Sequence, residues 1–341
     1  MSECHSDDFQ YKQLCLISDL GETICPPEPI TGGLLHKMYL IKTTKGKYAV
    51  KLLNPEIIKR PDAMANYINS EKIANLVSNN ISALPAKIIN GKVVNEINNQ
   101  FFLVFDWIEG SSLKPIELKT EHSKKIGSIL AAIHKTNFEE LDIKYGGINN
   151  GHLKEWDFYL KKGQQASSEW AGLFKENIDK LYEWDAKSTD AAEILSSETV
   201  ISHRDLDPKN VMWIQDSPTI IDWESAGYIN PMQDLIETAV YWSDNKTLNI
   251  NKNRFSAFLE GYINNYGELQ ANWIRVLETG YLGKLGWLEY NLKRSLKMEC
   301  SGEDEQKLGS AQVIETIKEL RQYESSIPTL LNWLNNEQNV Y

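Results

Sequence analysis

Two hydrophobic periods divide the chain. Between residues 37 and 105 short apolar runs alternate with polar positions, whereas from about residue 121 onward apolar side chains recur every three or four positions. Met38 and Leu40 alternate within Lys37–Lys42, Lys45-Gly46-Lys47 turns the chain, and Tyr48–Leu53 returns it, which predicts a β-hairpin. Two further strands are expected at Ala86–Asn90 and Phe101–Phe105, the first closed by the turn dipeptide Asn90-Gly91. A helix is expected between them, from Pro61 to about Asn79, because proline's missing N–H costs nothing in a first turn. Met64, Tyr67, Ile68, Glu71 and Ala74 share one of its faces. Upstream, residues 7–18 fit a short amphipathic helix, and Cys25-Pro26-Pro27-Glu28-Pro29 is expected to break regular structure.

In the second part, Ile126, Ile129, Leu130 and Ile133 mark a helix ending near His134. Further helices are expected at about 153–165, 169–184, 231–243, 252–266, 270–297, 304–325 and 328–337, interrupted only by short strands at Thr199–Ile201, Val211–Ile214 and Thr219–Ile221. The fold class is therefore α+β: a small antiparallel sheet with one main helix, then a larger, mostly α-helical part. There is no internal repeat and no low-complexity tract.

At 341 residues the chain is too long for one simple core and suits two lobes, with 42% hydrophobic and 24% charged residues as in soluble globular proteins. No apolar run approaches the length of a membrane span, and MSECHSDDFQ lacks the basic start and apolar core of a signal peptide, so a cytoplasmic protein without membrane contact is expected. Cys4, Cys15, Cys25 and Cys300 show no C-x-x-C spacing and read as free thiols. A net charge of −11 argues against a nucleic-acid partner. That charge is uneven: residues 1–105 carry 11 Lys/Arg against 10 Asp/Glu, a balance of +1, which leaves −12 for the rest.

The candidate chemistry sits where the second part is briefly extended. Ser202-His203-Arg204-Asp205-Leu206-Asp207-Pro208-Lys209-Asn210 is followed, one strand-turn-strand later, by Ile221-Asp222-Trp223-Glu224. If those strands form a hairpin, an acid, an amide and a second acid converge. One carboxylate, Asp205, can accept a hydroxyl proton, while Asn210 and Asp222 offer the oxygen ligands that Mg²⁺ prefers. Upstream, Lys51 lies inside an apolar strand, where a charge needs a partner or a cleft. Glu71, on the apolar side of its helix, is the simplest partner; a surface glutamate beside Lys72 is the alternative. Gly32-Gly33 before the first hairpin would let backbone N–H groups approach a phosphate, or be an ordinary turn.

Taken in order, Gly32-Gly33, Lys51, Glu71, Phe102–Gly110, Asp205, Asn210 and Asp222 resemble the aminoglycoside phosphotransferase/choline kinase family of small-molecule kinases over roughly residues 28–245. The resemblance implies a bilobal protein-kinase-like fold with a nucleotide-binding lobe at 1–105, a hinge at 106–110 and a helical lobe at 111–341 carrying the catalytic loop and the acceptor-binding helices. It implies that Gly32, Gly33, Lys51 and Glu71 serve nucleotide binding, that Phe105 is the gatekeeper, and that the Asp106 carbonyl and Ile108 N–H meet the purine. Asp205 would be the catalytic base, and Asn210 and Asp222 would hold Mg²⁺ on ATP or GTP.

Several departures point away from protein kinases, so a protein substrate is not expected. No G-x-G-x-x-G is present, Asp207 stands where they carry a catalytic-loop Lys, Asp-Trp-Glu replaces D-F-G, and no A-P-E follows. Gly227–Leu235 is instead similar to the small-molecule family's G-D-P-x-x-D-L-A segment, whose second Asp, here Asp234, supports the catalytic loop. That family's usual H-G-D has become His203-Arg204-Asp205, with no catalytic role assigned to Arg204. The acceptor is expected to be a small hydroxylated molecule, most plausibly aminoglycoside-like or otherwise amine-bearing; the −12 balance suggests a cation, with solvated helix surfaces as the alternative, and of Trp156, Trp170, Trp184, Trp242, Trp273 and Trp287, whose faces could hold an ammonium group, most are expected in the core. Choline, homoserine or sugar kinases are the enzymatic alternatives. A non-catalytic kinase-fold protein is the other, because the chain also looks like spore-coat-associated kinase-like proteins.

Overall fold

A computed structural model describes residues 10–30, 35–144, 154–244, 250–300 and 302–337. The chain divides into two compact units: residues 1–113, 137–143 and 209–227 form the first, and residues 114–136, 144–208 and 228–341 the second. The segment 209–227 thus joins the first unit although the second unit's residues up to 208 precede it in sequence.

The first unit begins with α1 (Gln10–Ile17), β1 (Glu28–Ile30), β2 (Lys37–Thr43), β3 (Gly46–Leu52), α2 (Pro55–Ile58), α3 (Ala63–Val77), β4 (Asn95–Ile97) and β5 (Gln100–Asp106). The strands form one antiparallel sheet in the order β1-β2-β3-β5-β4. Alternation sorts its side chains. Tyr48, Val50, Phe102 and Val104 face one core with Leu14, Cys15 and Leu20, while Leu103 and Phe105 face another with Leu53, Tyr67 and Ala86. Lys51 pairs across β3–β5 with Leu103, so it shares the side of the sheet that carries α3.

Three expectations change here. The Pro-rich stretch does not end regular structure: Glu28–Ile30 is an edge strand, where Pro29 can sit without losing a ladder bond on both sides. Ala86–Asn90 is not a strand. Its Lys87 N–H reaches the Val104 carbonyl at 2.7 Å, but the sheet edge is taken by β4, which returns through Asn98 and Asn99 at φ 50° and 64°. Two successive left-handed residues match the twist of a tight hairpin, and asparagine tolerates them. Pro61 precedes α3, which starts at Ala63; in this unit Pro55 is the proline at a helix's first position, behind an Asn54 side chain that accepts the Glu56 N–H at 2.9 Å.

Residues 209–227 add a hairpin to this unit, β7 (Val211–Ile214) and β8 (Ser217–Ile220), with Val211 opposite Ile220. It is fastened by Leu84 N–H to the Ile220 carbonyl at 2.9 Å and by Trp213 N–H to the Ser111 carbonyl at 2.9 Å.

The second unit contains α4 (Thr120–His134), α5 (Trp156–Gln165), α6 (Ala171–Leu195), β6 (Val200–Ser202), α7 (Pro231–Tyr241), α8 (Lys252–Tyr266), α9 (Trp273–Thr279), α10 (Tyr281–Ser295) and α11 (Glu303–Glu337). Short β9 (Gly227–Ile229) pairs with β6. α4 and α8 cross at glycine: a Cβ on Gly127 would lie 2.1 Å from the Phe258 carbonyl oxygen, so no larger residue fits without moving the helices. α6 runs past 184 because Leu181, Trp184, Asp185, Ser188, Ala191 and Ala192 continue one buried face. The stretch 270–297 is instead broken at Gly280, whereas 303–337 runs as one helix through Pro328, beyond which Leu330 and Leu334 remain fully buried. Trp156, Trp170, Trp184, Trp242 and Trp273 are buried core, as expected for most of the tryptophans in this part; Trp287 is partly exposed and donates to Gln312 at 3.2 Å.

Candidate active site

Lys51 is 4% exposed, and its side chain does find carboxylates. They are not the expected one. Its Nζ lies 2.5 Å from Asp222 Oδ1 and 2.8 Å from Glu224 Oε2, whereas Glu71 Oε2 accepts the Ala86 N–H at 2.6 Å and is in no ion pair with Lys51 among the described residues. The reason is local. α3 does place Glu71 on the buried side, 3% exposed, but the chain after Ser82 brings an unpaired backbone N–H directly to its carboxyl.

Glu224 is held from a second side. His36 Nδ1 accepts the Asn54 N–H at 3.0 Å, which leaves the ring proton on Nε2, 3.2 Å from Glu224 Oε2 and 2.9 Å from the Tyr67 hydroxyl. Burial would lower the Lys51 amine, but the charges of Asp222 and Glu224 outweigh it and hold it above the ordinary lysine range. Burial would likewise raise Glu224, yet Lys51 and the His36 hydrogen bond bring it well below the usual carboxylate range. Glu71 goes the other way: burial, opposed by the Ala86 hydrogen bond and Lys51, pushes it up to about 7.

The hairpin β7–β8 brings Asn210 and Asp222 to one end. The Ile221 N–H donates to the Asn210 carbonyl at 2.9 Å, so the residues flanking the ladder are neighbours, and Asp222 then leaves the strand at φ 62°. Asn210 is 3% exposed, and the donor set, an amide oxygen and a carboxylate, is oxygen-only and suits a hard divalent cation. Trp223, 1% exposed, anchors the following turn through Nε1 to the Ile220 carbonyl at 3.3 Å.

Asp205 belongs to the second unit, on the loop after β6. That loop is tied at several points. The Asp205 N–H donates to His203 Nδ1 at 3.3 Å, and Trp242 Nε1 donates to the Leu206 carbonyl at 2.8 Å. Asp234, 1% exposed, accepts from Ser202 Oγ at 2.5 Å and from His134 Nε2 at 2.9 Å; the other nitrogen of that ring meets the Tyr262 hydroxyl at 2.8 Å. Asp234 is thus a buried acceptor on Ser202, at the start of that loop, and His134 is a hydrogen-bonded core residue. On the same helix Gln233 Nε2 donates to Glu237 Oε1 at 3.1 Å. Burial, with Asp234 nearby, pushes Glu237 up to about 7 against Gln233, Arg204 and Lys284. Burial and then Glu237, Asp205, Asp207 and Asp234 raise the Tyr241 phenol well above its ordinary value. Tyr241 therefore stands in the field of the loop's acids and of Glu237.

The remaining candidates are placed as follows. Gly32 and Gly33 lie outside the described residues. Asp106 ends β5 opposite Tyr48 and its side chain meets Lys87 at 2.8 Å, leaving only its backbone for the purine role; Ile108 follows in the partly exposed turn. His36 and Glu224 were missed. The one sequence signal for Glu224 was a second acid two residues beyond Asp222, flanking a tryptophan that had to be buried.

A small antiparallel sheet with a buried strand lysine, a carboxylate pair against it, and a helical unit carrying a tethered His-x-Asp loop are the parts of a protein-kinase-like phosphotransferase. Residues 27–276 match the model of the Phosphotransferase enzyme family, and the chain belongs to that family; it is a small-molecule kinase. Among solved structures, a spectinomycin phosphotransferase in complex with ADP and spectinomycin is similar at TM-score 0.68 and 14% identity, covering 92% of this chain and 98% of that one. An amicoumacin kinase bound to AMP-PNP, Ca²⁺ and its substrate gives 0.63 at 15% identity over 95% of both chains. A choline/ethanolamine kinase family protein from Mesorhizobium loti gives 0.59 at 15% identity over 94% and 98%. At these identities the likeness is one of fold. No curated protein matches the chain. Among the described residues, no helix is long and apolar enough to cross a membrane.

Proposed function

We propose that the chain transfers the γ-phosphoryl group of ATP or GTP to a hydroxyl of a small, amine-bearing acceptor. The observation that carries this reading is the buried Lys51 amine against Asp222, with Asn210 beside the same hairpin end. Lys51 neutralises phosphate charge, Asn210 and Asp222 are the residues that would hold Mg²⁺, and the ion would supply electrostatic stabilisation of the phosphates. Asp205 orients the acceptor hydroxyl and takes its proton, and its loop is kept in place by Asp234 and Trp242. Gly32 and Gly33 would approach the phosphates, and the Asp106 carbonyl and Ile108 N–H the base. The neighbours named for spectinomycin, amicoumacin and choline/ethanolamine support a small-molecule acceptor.

An amine is favoured by the charge balance and by the field of Glu237, Asp205, Asp207 and Asp234 that Tyr241 feels. Such an acidic surrounding draws a cation in and disfavours an anion. The test is nucleotide consumption with Mg²⁺ over aminoglycosides, amino alcohols and neutral sugars, with ATP and GTP in parallel. An amine that drives stoichiometric nucleotide turnover, with a KM that rises with salt, is the expected result. A neutral sugar as best acceptor, with a salt-independent KM, would refute the cationic reading; no turnover with any acceptor, despite nucleotide binding, would favour the non-catalytic one.

A further inference from the structure

We infer that Glu224, held by His36, is the carboxylate that positions Lys51, and that Glu71 is a structural group. The inference rests on the reading of Lys51 as the phosphate-binding lysine and assigns its support to a residue outside that reading.

Three observations carry it. First, Lys51 Nζ is 2.8 Å from Glu224 Oε2, while Glu71 is committed to the Ala86 N–H at 2.6 Å and serves to hold the chain before β4. Second, Glu224 is itself oriented: the Asn54 N–H fixes the His36 tautomer, so Nε2 presents a proton to the same oxygen that Lys51 uses. A carboxylate with a donor on either side has little freedom to leave. Third, the two carboxylates on Lys51 are not equivalent. The Asp222 side chain is 33% exposed and is the proposed metal ligand, whereas that of Glu224 is 19% exposed and backed by a buried ring. If Asp222 turns its charge to a metal, a lysine this buried still needs a counter-charge, and Glu224 is the group that supplies it. The turn makes this possible, because the buried Trp223 between them fixes both acids on the side of Lys51.

The experiment measures ATP and adenosine affinity of the full chain by calorimetry, in EDTA and in Mg²⁺, for wild type and for Lys51→Ala, Glu224→Gln, Glu71→Gln and the Lys51→Ala/Glu224→Gln double variant. A misplaced Lys51 weakens only ligands that carry phosphates. In EDTA, Glu224→Gln should lose about tenfold in ATP affinity with adenosine affinity unchanged, as expected for one charge-assisted contact, and should lose more than Glu71→Gln does. The double variant should be no weaker than Lys51→Ala alone, because both act through one group. A larger phosphate-specific loss in Glu71→Gln would overturn the assignment. So would a Glu224→Gln loss seen only with Mg²⁺, which would make Glu224 a metal ligand, or equal losses for ATP and adenosine, which would make its role general to the fold. Lys51→Ala binding ATP as well as wild type would remove the phosphate reading of Lys51 itself, whereas a Lys51→Ala loss with Glu224→Gln unaffected would overturn this inference alone.

Discussion

Replacing Glu71 by glutamine should stabilise the protein at pH 8 and destabilise it by about 1 kcal/mol near pH 4. Glu71 is 3% exposed and its carboxyl is pushed up to about 7 in the folded chain, from an ordinary value of 4.5. Below that ordinary value the group is protonated whether folded or unfolded, and no penalty exists. Between the two values the unfolded chain gives up its proton while the folded chain keeps it, so stability falls as pH rises; above the folded value the whole penalty is present. At about 1.4 kcal/mol for each unit, the penalty is on the order of 3 kcal/mol. Glutamine keeps a carbonyl for the Ala86 N–H but adds an amide donor that costs about 1 kcal/mol if it finds no partner, which leaves a gain of about 2 kcal/mol at pH 8. Urea unfolding of both proteins at pH 5, 6, 7 and 8 reads this directly. The gap between the two should open with pH over that range. A gap that stays flat, or a wild type more stable at pH 8, would refute the argument that burial rather than the lysine governs this carboxyl.

Three other outcomes follow from the site. Asp205→Ala should keep nucleotide affinity and lower turnover with the true acceptor by roughly 10²–10⁴, the usual share of a general base; unchanged turnover would remove that role. Asp222→Asn should weaken nucleotide binding with Mg²⁺ far more than without it, so titration of ATP with and without metal checks it, and equal metal enhancement in both proteins would move the metal elsewhere. Arg204→Gly should raise the unfolding free energy by about 1 kcal/mol, because Arg204 sits at φ 65°, where a Cβ is strained and glycine is not; a destabilised variant would mean the arginine side chain does more than tolerate its place.

The parts of the fold that could be read in advance are those in which period and partner are both local. The hairpin of β2 and β3, the buried face of α3 and the register of β7 with β8 all follow from alternation or three-and-four spacing across a few turns. Edge strands were harder to read. β1 and β4 have three residues each, too few to show a period, and β4 depends on two asparagines adopting left-handed backbone. Helix ends depended on what lay beyond them: α6 continued because its buried face did, and α11 ran through Pro328 because its far side was packed. Within the site, Lys51 was recognisable as a charge in an apolar strand, but its partner was not, since three acids fall within reach of the same elements. The choice among them turned on one backbone N–H, at Ala86, and on one imidazole, at His36, and neither competes in a reading of side-chain spacing alone.

The two acids most central to the proposed chemistry are set by the same device in separate units. Arg204, immediately before Asp205, and Asp222 itself both hold positive φ, 65° and 62°. Each such residue costs about 1–3 kcal/mol and persists only where its surroundings leave it no alternative. On one side those surroundings are His203 on the Asp205 N–H, Trp242 on the Leu206 carbonyl and Asp234 on Ser202; on the other they are Trp223 on the Ile220 carbonyl and Lys51 on Asp222 itself. The donors are buried or part-buried, and their acceptors are an imidazole nitrogen on one bond and backbone or carboxylate oxygens on the others, so releasing the strained residue would break bonds that water replaces poorly. Rigid placement is what phosphoryl transfer asks of a protein, because its catalysis is almost wholly positioning and electrostatics. Burial of Trp242, Trp223 and Asp234 would thus serve the proposed reaction by preventing two backbone turns from relaxing.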